Sequence, residues 1–144
     1  MLLDTHVWIW WLSGGGNLSA AEYRALELSA ETETPKVSAI SLWEVQMLYS
    51  LRRLSLRLPF EPWLLNATSP EVVHIVPIDT SVILELNRMP AMHGDPADRL
   101  IVATARAHDL ALATHPSHPE IAAGGDLEAS LGDMKKTSGV LDDG

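Results

Sequence analysis

Short apolar runs that pass directly into helix-period segments recur along this chain, and that alternation restricts the possible folds more than any other feature. Leu2-Leu3 ends at Asp4, after which Val7, Trp8, Trp11 and Leu12 recur at helical spacing until Gly14-Gly15-Gly16 stops the pattern. Pro35 opens a second run, Lys36-Val37-Ser38-Ala39-Ile40, which feeds a helix beginning near Ser41 and reaching Arg53. Val72 to Ile78 is rich in β-branched residues and reads as a strand, and Pro77 places it at a sheet edge or ends it early. A helix from about Ser81 to Met89 follows, Asp95-Pro96 starts a long helix through His108, and Leu110-Ala111-Leu112-Ala113 reads as a further strand. Ser19 to Ala30 reads as a helix with Ser19 as its N-cap and Glu22 three residues later, and a short helix is expected around Trp63. Strands alternating with helices imply an α/β fold, a central parallel sheet between helical layers.

The chain has 144 residues with 47% apolar content, the size of one domain with enough core-forming side chains to fold without staples. That domain is expected over residues 1–122. Residues 123–144, with Gly124-Gly125, Gly132, Gly139 and scattered charges, carry no period and are expected to be a poorly structured tail. No apolar run approaches the roughly 18 residues of a membrane span, and the N-terminus lacks a basic region followed by an apolar stretch, so a soluble cytoplasmic protein is expected. The absence of cysteine leaves oxygen and imidazole as the available metal ligands. A net charge of -9, from 19 acidic against 10 basic residues, opposes simple nucleic-acid binding by counterion release. It does not oppose a nuclease, because divalent ions cancel part of a site's charge and bridge to phosphate oxygens.

Ligands of open parallel α/β sheets bind beyond the carboxyl ends of the strands, where helix N-termini converge. Four acids fall at such strand-to-helix turns: Asp4, Glu44, Asp95 and Asp98. Each has an ordinary structural explanation. Asp4 follows a strand as a cap would, Glu44 fits a capping box with Ser41, Asp95 is an N-cap with Pro96 at N1, and Asp98 sits in a first turn. Caps alone do not explain several helices placing acids at the same end of one sheet. Clustered carboxylates raise one another's pKa unless a cation neutralises them, and Mg2+ takes a few carboxylates while keeping several waters.

The segments Leu2-Leu3-Asp4-Thr5-His6, Ser41-Leu42-Trp43-Glu44 and His93-Gly94-Asp95-Pro96-Ala97-Asp98-Arg99-Leu100-Ile101-Val102-Ala103-Thr104-Ala105 resemble PIN domains and fall in that family's order. The resemblance covers residues 1 to about 121 and is nearest to the VapC-like toxins of toxin–antitoxin pairs. It implies a three-layer sandwich with a parallel sheet of four or five strands flanked by helices, a Mg2+ or Mn2+ nuclease centre, and RNA as substrate. By motif position Asp4, Glu44 and Asp98 become metal-binding acids and Asp95 a neighbouring catalytic carboxylate. It further implies a homodimer and a cognate antitoxin protein. The chain departs from the family pattern where a threonine is normally followed two residues later by aspartate, because Thr114 is followed by His115 and Pro116. Proline cannot bind a metal, so the fourth acid is either missing or its duty passes to Glu120.

Two rival functions remain at this level. A decayed fold of the same type would keep antitoxin binding or dimerisation without cleavage. Phosphotransfer through an aspartyl phosphate at Asp4 wants a second aspartate two residues on, where His6 stands. His115 and His118 read as solvated loop histidines, since imidazole is a poor Mg2+ ligand. Thr5 and Thr104 read as packing or capping residues, and Trp8, Trp10, Trp11 and Trp43 as core or interface. Arg52, Arg53 and Arg57 form a solvated basic face or meet phosphate or an acidic partner, and Arg99 either steers RNA or pairs with a carboxylate.

Overall fold

A computed structural model describes residues 1–90, 94–115 and 128–130. Among the described residues the order is β1 (Leu2–Leu3), α1 (Thr5–Leu12), α2 (Ala20–Thr32), β2 (Lys36–Ser38), α3 (Ala39–Ser50), α4 (Phe60–Ala67), β3 (His74–Val76), α5 (Thr80–Arg88), α6 (Pro96–Ala107), β4 (Leu112–Thr114) and β5 (Glu128–Ser130). The strands form one sheet in the order β3-β2-β1-β4-β5, and every adjacent pair is parallel. β1 lies at the centre, with Leu3 opposite Val37 on one side and Ala113 on the other. This explains why a strand can be two residues long: Leu2 and Leu3 are both fully buried, and both of their backbone edges are paired.

The two-residue side-chain period divides the core into two halves. Leu2 and Leu112 pack with Val82 of α5 and with Ile101 and Val102 of α6. Leu3, Val37 and Ala113 pack on the opposite face with Val7 and Trp8 of α1, Leu26 of α2, Val45 of α3 and Ala67 of α4. The result is the three-layer α/β sandwich that the alternation implies. β3 is an edge strand and ends at Val76, directly before Pro77. α2 opens on the expected capping box, with Glu22 N–H donating to Ser19 Oγ at 3.1 Å and Ser19 N–H donating to Glu22 Oε1 at 2.9 Å. At the turn after α1, Gly16 has φ +51 and a Cβ there would lie 2.6 Å from Trp10 Cδ1, so glycine is needed both for the conformation and for the room. No helix among the described residues is long and apolar enough to cross a membrane.

Two expectations change. α3 starts at Ala39 rather than near Ser41, because Ser38 at the end of β2 caps it, its Oγ accepting from Ile40 N–H at 3.3 Å. Ser41 is therefore a buried residue inside the helix and Glu44 lies beyond its first turn. The second change concerns the tail: β5 falls inside the stretch 123–144 expected to lack structure. A three-residue strand of Glu-Ala-Ser is held by backbone pairing to β4, with Ala129 opposite Ala113, and leaves no hydrophobic period to read. The rest of that stretch lies outside the described residues.

Because β4 borders the candidate site, its partner β5 should matter to stability. Deleting residues from Gly124 onward should lower unfolding free energy by about 1–3 kcal/mol, the net worth of a few backbone hydrogen bonds. Denaturant unfolding checks this, and a truncated chain as stable as the full one would show that β5 adds nothing.

Candidate metal centre

β1 delivers Asp4 to the carboxyl end of the sheet. Its N–H donates to Ala113 O at 3.0 Å, continuing the β1–β4 ladder, and its Oδ1 accepts from Val7 N–H at 2.8 Å, capping α1. Asp4 is buried, and by strand alternation it points to the side of Leu2, the face covered by α6. Thr114 follows Leu112 by the same step and lies beside Asp4 at the end of β4. The cap reading of Asp4 is correct, and it occupies only one of the two carboxylate oxygens.

Glu44 enters from α3 and is also buried. Its Oε1 is hydrogen-bonded by the Thr5 hydroxyl, which lies 2.9 Å from Ser41 Oγ. A threonine hydroxyl has one proton, so Thr5 donates to the carboxylate and accepts from Ser41. Burial pushes the Glu44 carboxyl above its ordinary range; the Thr5 hydrogen bond opposes that rise, and the charges of Asp95 and Asp4 add to it. Thr5 is thus the functional residue that sequence reasoning missed: a residue assigned to packing fixes the orientation of a site carboxylate from 39 positions away.

Asp95 and Asp98 enter from α6. Asp95 is its N-cap, with Oδ1 accepting from Ala97 N–H at 3.1 Å, and Asp98 stands in the first turn after Pro96. One carboxylate oxygen from each of Glu44, Asp95 and Asp98 lies within 4.8 Å of the others. Asp4 stands next to this trio, close enough for its charge to act on Glu44, but is not within the tight grouping. Asp95 is therefore nearer to the centre than its role as a mere neighbour suggests. The donor set fits a hard divalent cation: every donor is a carboxylate oxygen, and the Glu44 carboxyl is raised first by burial and then by the Asp95 and Asp4 charges, both of which a cation would offset.

The remaining candidates lie elsewhere. His115 is bound into the α1–α2 side, with Nε2 3.7 Å from Glu22 Oε1 and its ring edge-on to Trp10, so it is an interior contact rather than a solvated loop histidine. Arg99 lines a shallow cavity between α5 and α6 with Ile83, Leu86, Asn87 and Met89. Arg52 and Arg53 line a cavity beyond the far end of α3, and Arg57 a second one with Trp63 and Leu58. Trp8 is fully buried core, Trp11 Nε1–H donates to Glu27 Oε1 at 2.7 Å, and Trp43 is 53% exposed. Thr104 is a packing residue as expected, its hydroxyl donating to Leu100 O at 2.7 Å. His93, Pro116, His118 and Glu120 lie outside the described residues.

The model of the PIN domain family matches residues 1–116. The chain is 39% identical over 115 residues to "Ribonuclease VapC22" of Mycobacterium tuberculosis (strain ATCC 25618 / H37Rv), covering 79% of this chain and 85% of that protein. Among solved structures it is similar to the VapBC2 complex of Rickettsia felis bound to a DNA fragment from their promoter, with a TM-score of 0.64 and 18% identity, covering 90% of this chain and 96% of the other.

A carboxyl held above its unfolded pKa contributes stability that is present below the ordinary glutamate range and is lost as pH rises through the folded value. Glu44 is such a group, so without divalent ions it should weaken the fold at neutral pH. Glu44→Gln in chelator should therefore melt higher than wild type at pH 7, and the advantage should vanish as pH falls through the ordinary glutamate range. Paired melting curves across that range check the sign; a variant that melts lower at pH 7 would mean that the Thr5 hydrogen bond outweighs burial and repulsion.

Proposed function

The chain belongs to the PIN domain family, and on that premise we propose that it is a Mg2+- or Mn2+-dependent endoribonuclease, the toxin of a VapC-like toxin–antitoxin pair. The observation that carries this reading is the convergence of Glu44, Asp95 and Asp98 from two helices, beside Asp4, at the carboxyl end of the sheet. The name of its Mycobacterium relative supports RNA as the substrate class. The VapBC2 complex that shares its fold is consistent with an antitoxin protein as partner. Homodimerisation and a cytoplasmic location complete the reading.

In this reading Glu44, Asp95 and Asp98 hold the cation, with Asp4 as a fourth carboxylate at its edge. A bound cation would supply charge stabilisation at a phosphodiester oxygen and would lower the pKa of water at the site. The protein's own contribution is positional. The Thr5 proton pins Glu44, the Val7 N–H pins Asp4, and the Ala97 N–H pins Asp95, so these three acids enter the site with their rotamers already fixed. No side chain acts as a covalent nucleophile. Domain boundaries follow the same logic: residues 1–122 are proposed as the nuclease domain, with β5 as its accessory edge strand.

Purified protein should cleave a mixed RNA pool in Mg2+ or Mn2+ and not in chelator. Asp98→Asn and Asp4→Asn should each reduce the rate by about 100-fold or more, since loss of an outer-shell partner alone typically costs about 10- to 100-fold. Cleavage that survives both substitutions would be contamination. Absence of cleavage in every divalent ion, with retained binding to an antitoxin encoded next to this chain, would instead favour the decayed fold.

A further inference from the structure

We propose that the Thr114 hydroxyl is a positioning group of the divalent-cation site, holding one water of the ion's shell at the β4 side. The inference rests on the metal reading given under Proposed function and adds to it a residue outside the acid set. Thr114 is 1% exposed, and its Oγ1 is a buried atom with no hydrogen-bond partner among the described residues. A buried hydroxyl in that state costs about 1–3 kcal/mol, so it calls for an explanation.

The other buried hydroxyls make the contrast. Thr5 bonds Glu44 and Ser41, Ser38 accepts from Ile40 N–H, and Thr104 donates to Leu100 O. Thr114 is the exception among the described residues, and it is the one standing at the end of β4 beside Asp4. Leu2 pairs with Leu112 and Leu3 with Ala113, so one step further Asp4 and Thr114 are neighbours, roughly one strand spacing of about 4.8 Å apart. Alternation puts both on the face of Leu2 and Leu112, which α6 covers. α6 packs Ile101 and Val102 on that face, and its first turn carries Asp95 and Asp98, whose charges with that of Asp4 meet at Glu44.

The chemistry of the chain favours water between Thr114 and the ion. Three grouped carboxylates leave an octahedral ion with positions filled by water, which Mg2+ gives up reluctantly. A hydroxyl can both donate and accept, so it suits a water held between Asp4 and the ion. This also bears on Pro116, which stands where the family pattern has an acid: a neutral oxygen two residues earlier can hold the shell from the same strand end without adding charge.

The test titrates Mn2+ alone into wild type, Thr114→Val, Thr114→Ser and Asp98→Asn by calorimetry, and records melting in chelator. Valine keeps the shape and removes the hydroxyl. Thr114→Val should bind Mn2+ about three- to tenfold more weakly, the equivalent of one lost hydrogen bond. In chelator it should melt higher than wild type by about 4 °C, since an unsatisfied buried oxygen is gone. Thr114→Ser should restore near-wild-type affinity. A purely structural threonine would move the melting point and leave the affinity alone, so unchanged affinity in Thr114→Val overturns the inference, as does a lower melting point in chelator. Wild type that binds no Mn2+ would overturn the metal reading and this inference together. Wild type that binds while Asp98→Asn does not, with Thr114→Val equal to wild type, would remove Thr114 alone.

Discussion

Burial of carboxylates at one end of a parallel sheet is the constraint around which this molecule is organised. Glu44 is buried, its carboxyl is raised by that burial, and the charges of Asp95 and Asp4 raise it further. A fold tolerates this arrangement only with local compensation. The helices supply part of it: α1 and α6 begin at the site, and the positive ends of their dipoles face Asp4, Asp95 and Asp98. Thr5 supplies another part through its proton. The sheet supplies rigidity, because β1, paired on both edges and covered on both faces, leaves Asp4 no freedom to retreat.

Asp4 and Asp95 show why structural and chemical readings of an acid are not alternatives. Each caps a helix through one oxygen, Asp4 to Val7 N–H and Asp95 to Ala97 N–H. A carboxylate has two oxygens and about four lone-pair sites, so a cap fixes the rotamer and still leaves an acceptor for a cation. In this geometry the cap is what makes the ligand rigid. An acid that looks explained by its helix is for that reason better placed to serve a site.

What was legible in the sequence was what is local in the chain. The Ser19–Glu22 capping box, the glycine stop after α1, the Pro77 edge strand and the Asp95-Pro96 helix start each depend on contacts within a few residues, and each stands where its pattern puts it. Asp4 and Asp95 were legible as helix caps and Asp98 as a first-turn acid, whereas Glu44 stands inside α3 beyond its first turn. The misread serine shows the limit: Ser38 and Ser41 both precede a helical run, and only the end of β2 decides that Ser38 is the cap. Thr5 was invisible as a positioning residue because its partner Glu44 is 39 positions away. β5 was invisible because backbone pairing, not side-chain pattern, makes it a strand.

Charge placement sets the order of events at such a site. The chain carries a net charge of -9, and its basic cluster at Arg52 and Arg53 lies past the far end of α3, beyond the roughly 9 Å of helix that runs from Glu44 to Ser50. At physiological ionic strength the Debye length is about 8 Å, so those arginines do little for an anion arriving at Glu44. Arg99 follows Asp98 in sequence but lies in the cavity between α5 and α6. A phosphodiester approaching the bare acids would meet carboxylates already repelling one another. On the proposed function, the cation must therefore reverse the local field before RNA can seat. The two ligands are then thermodynamically coupled, since whatever factor the ion adds to RNA affinity, RNA must add to affinity for the ion. An acidic protein with buried carboxylates can in this way remain indifferent to nucleic acid until its site is charged with metal.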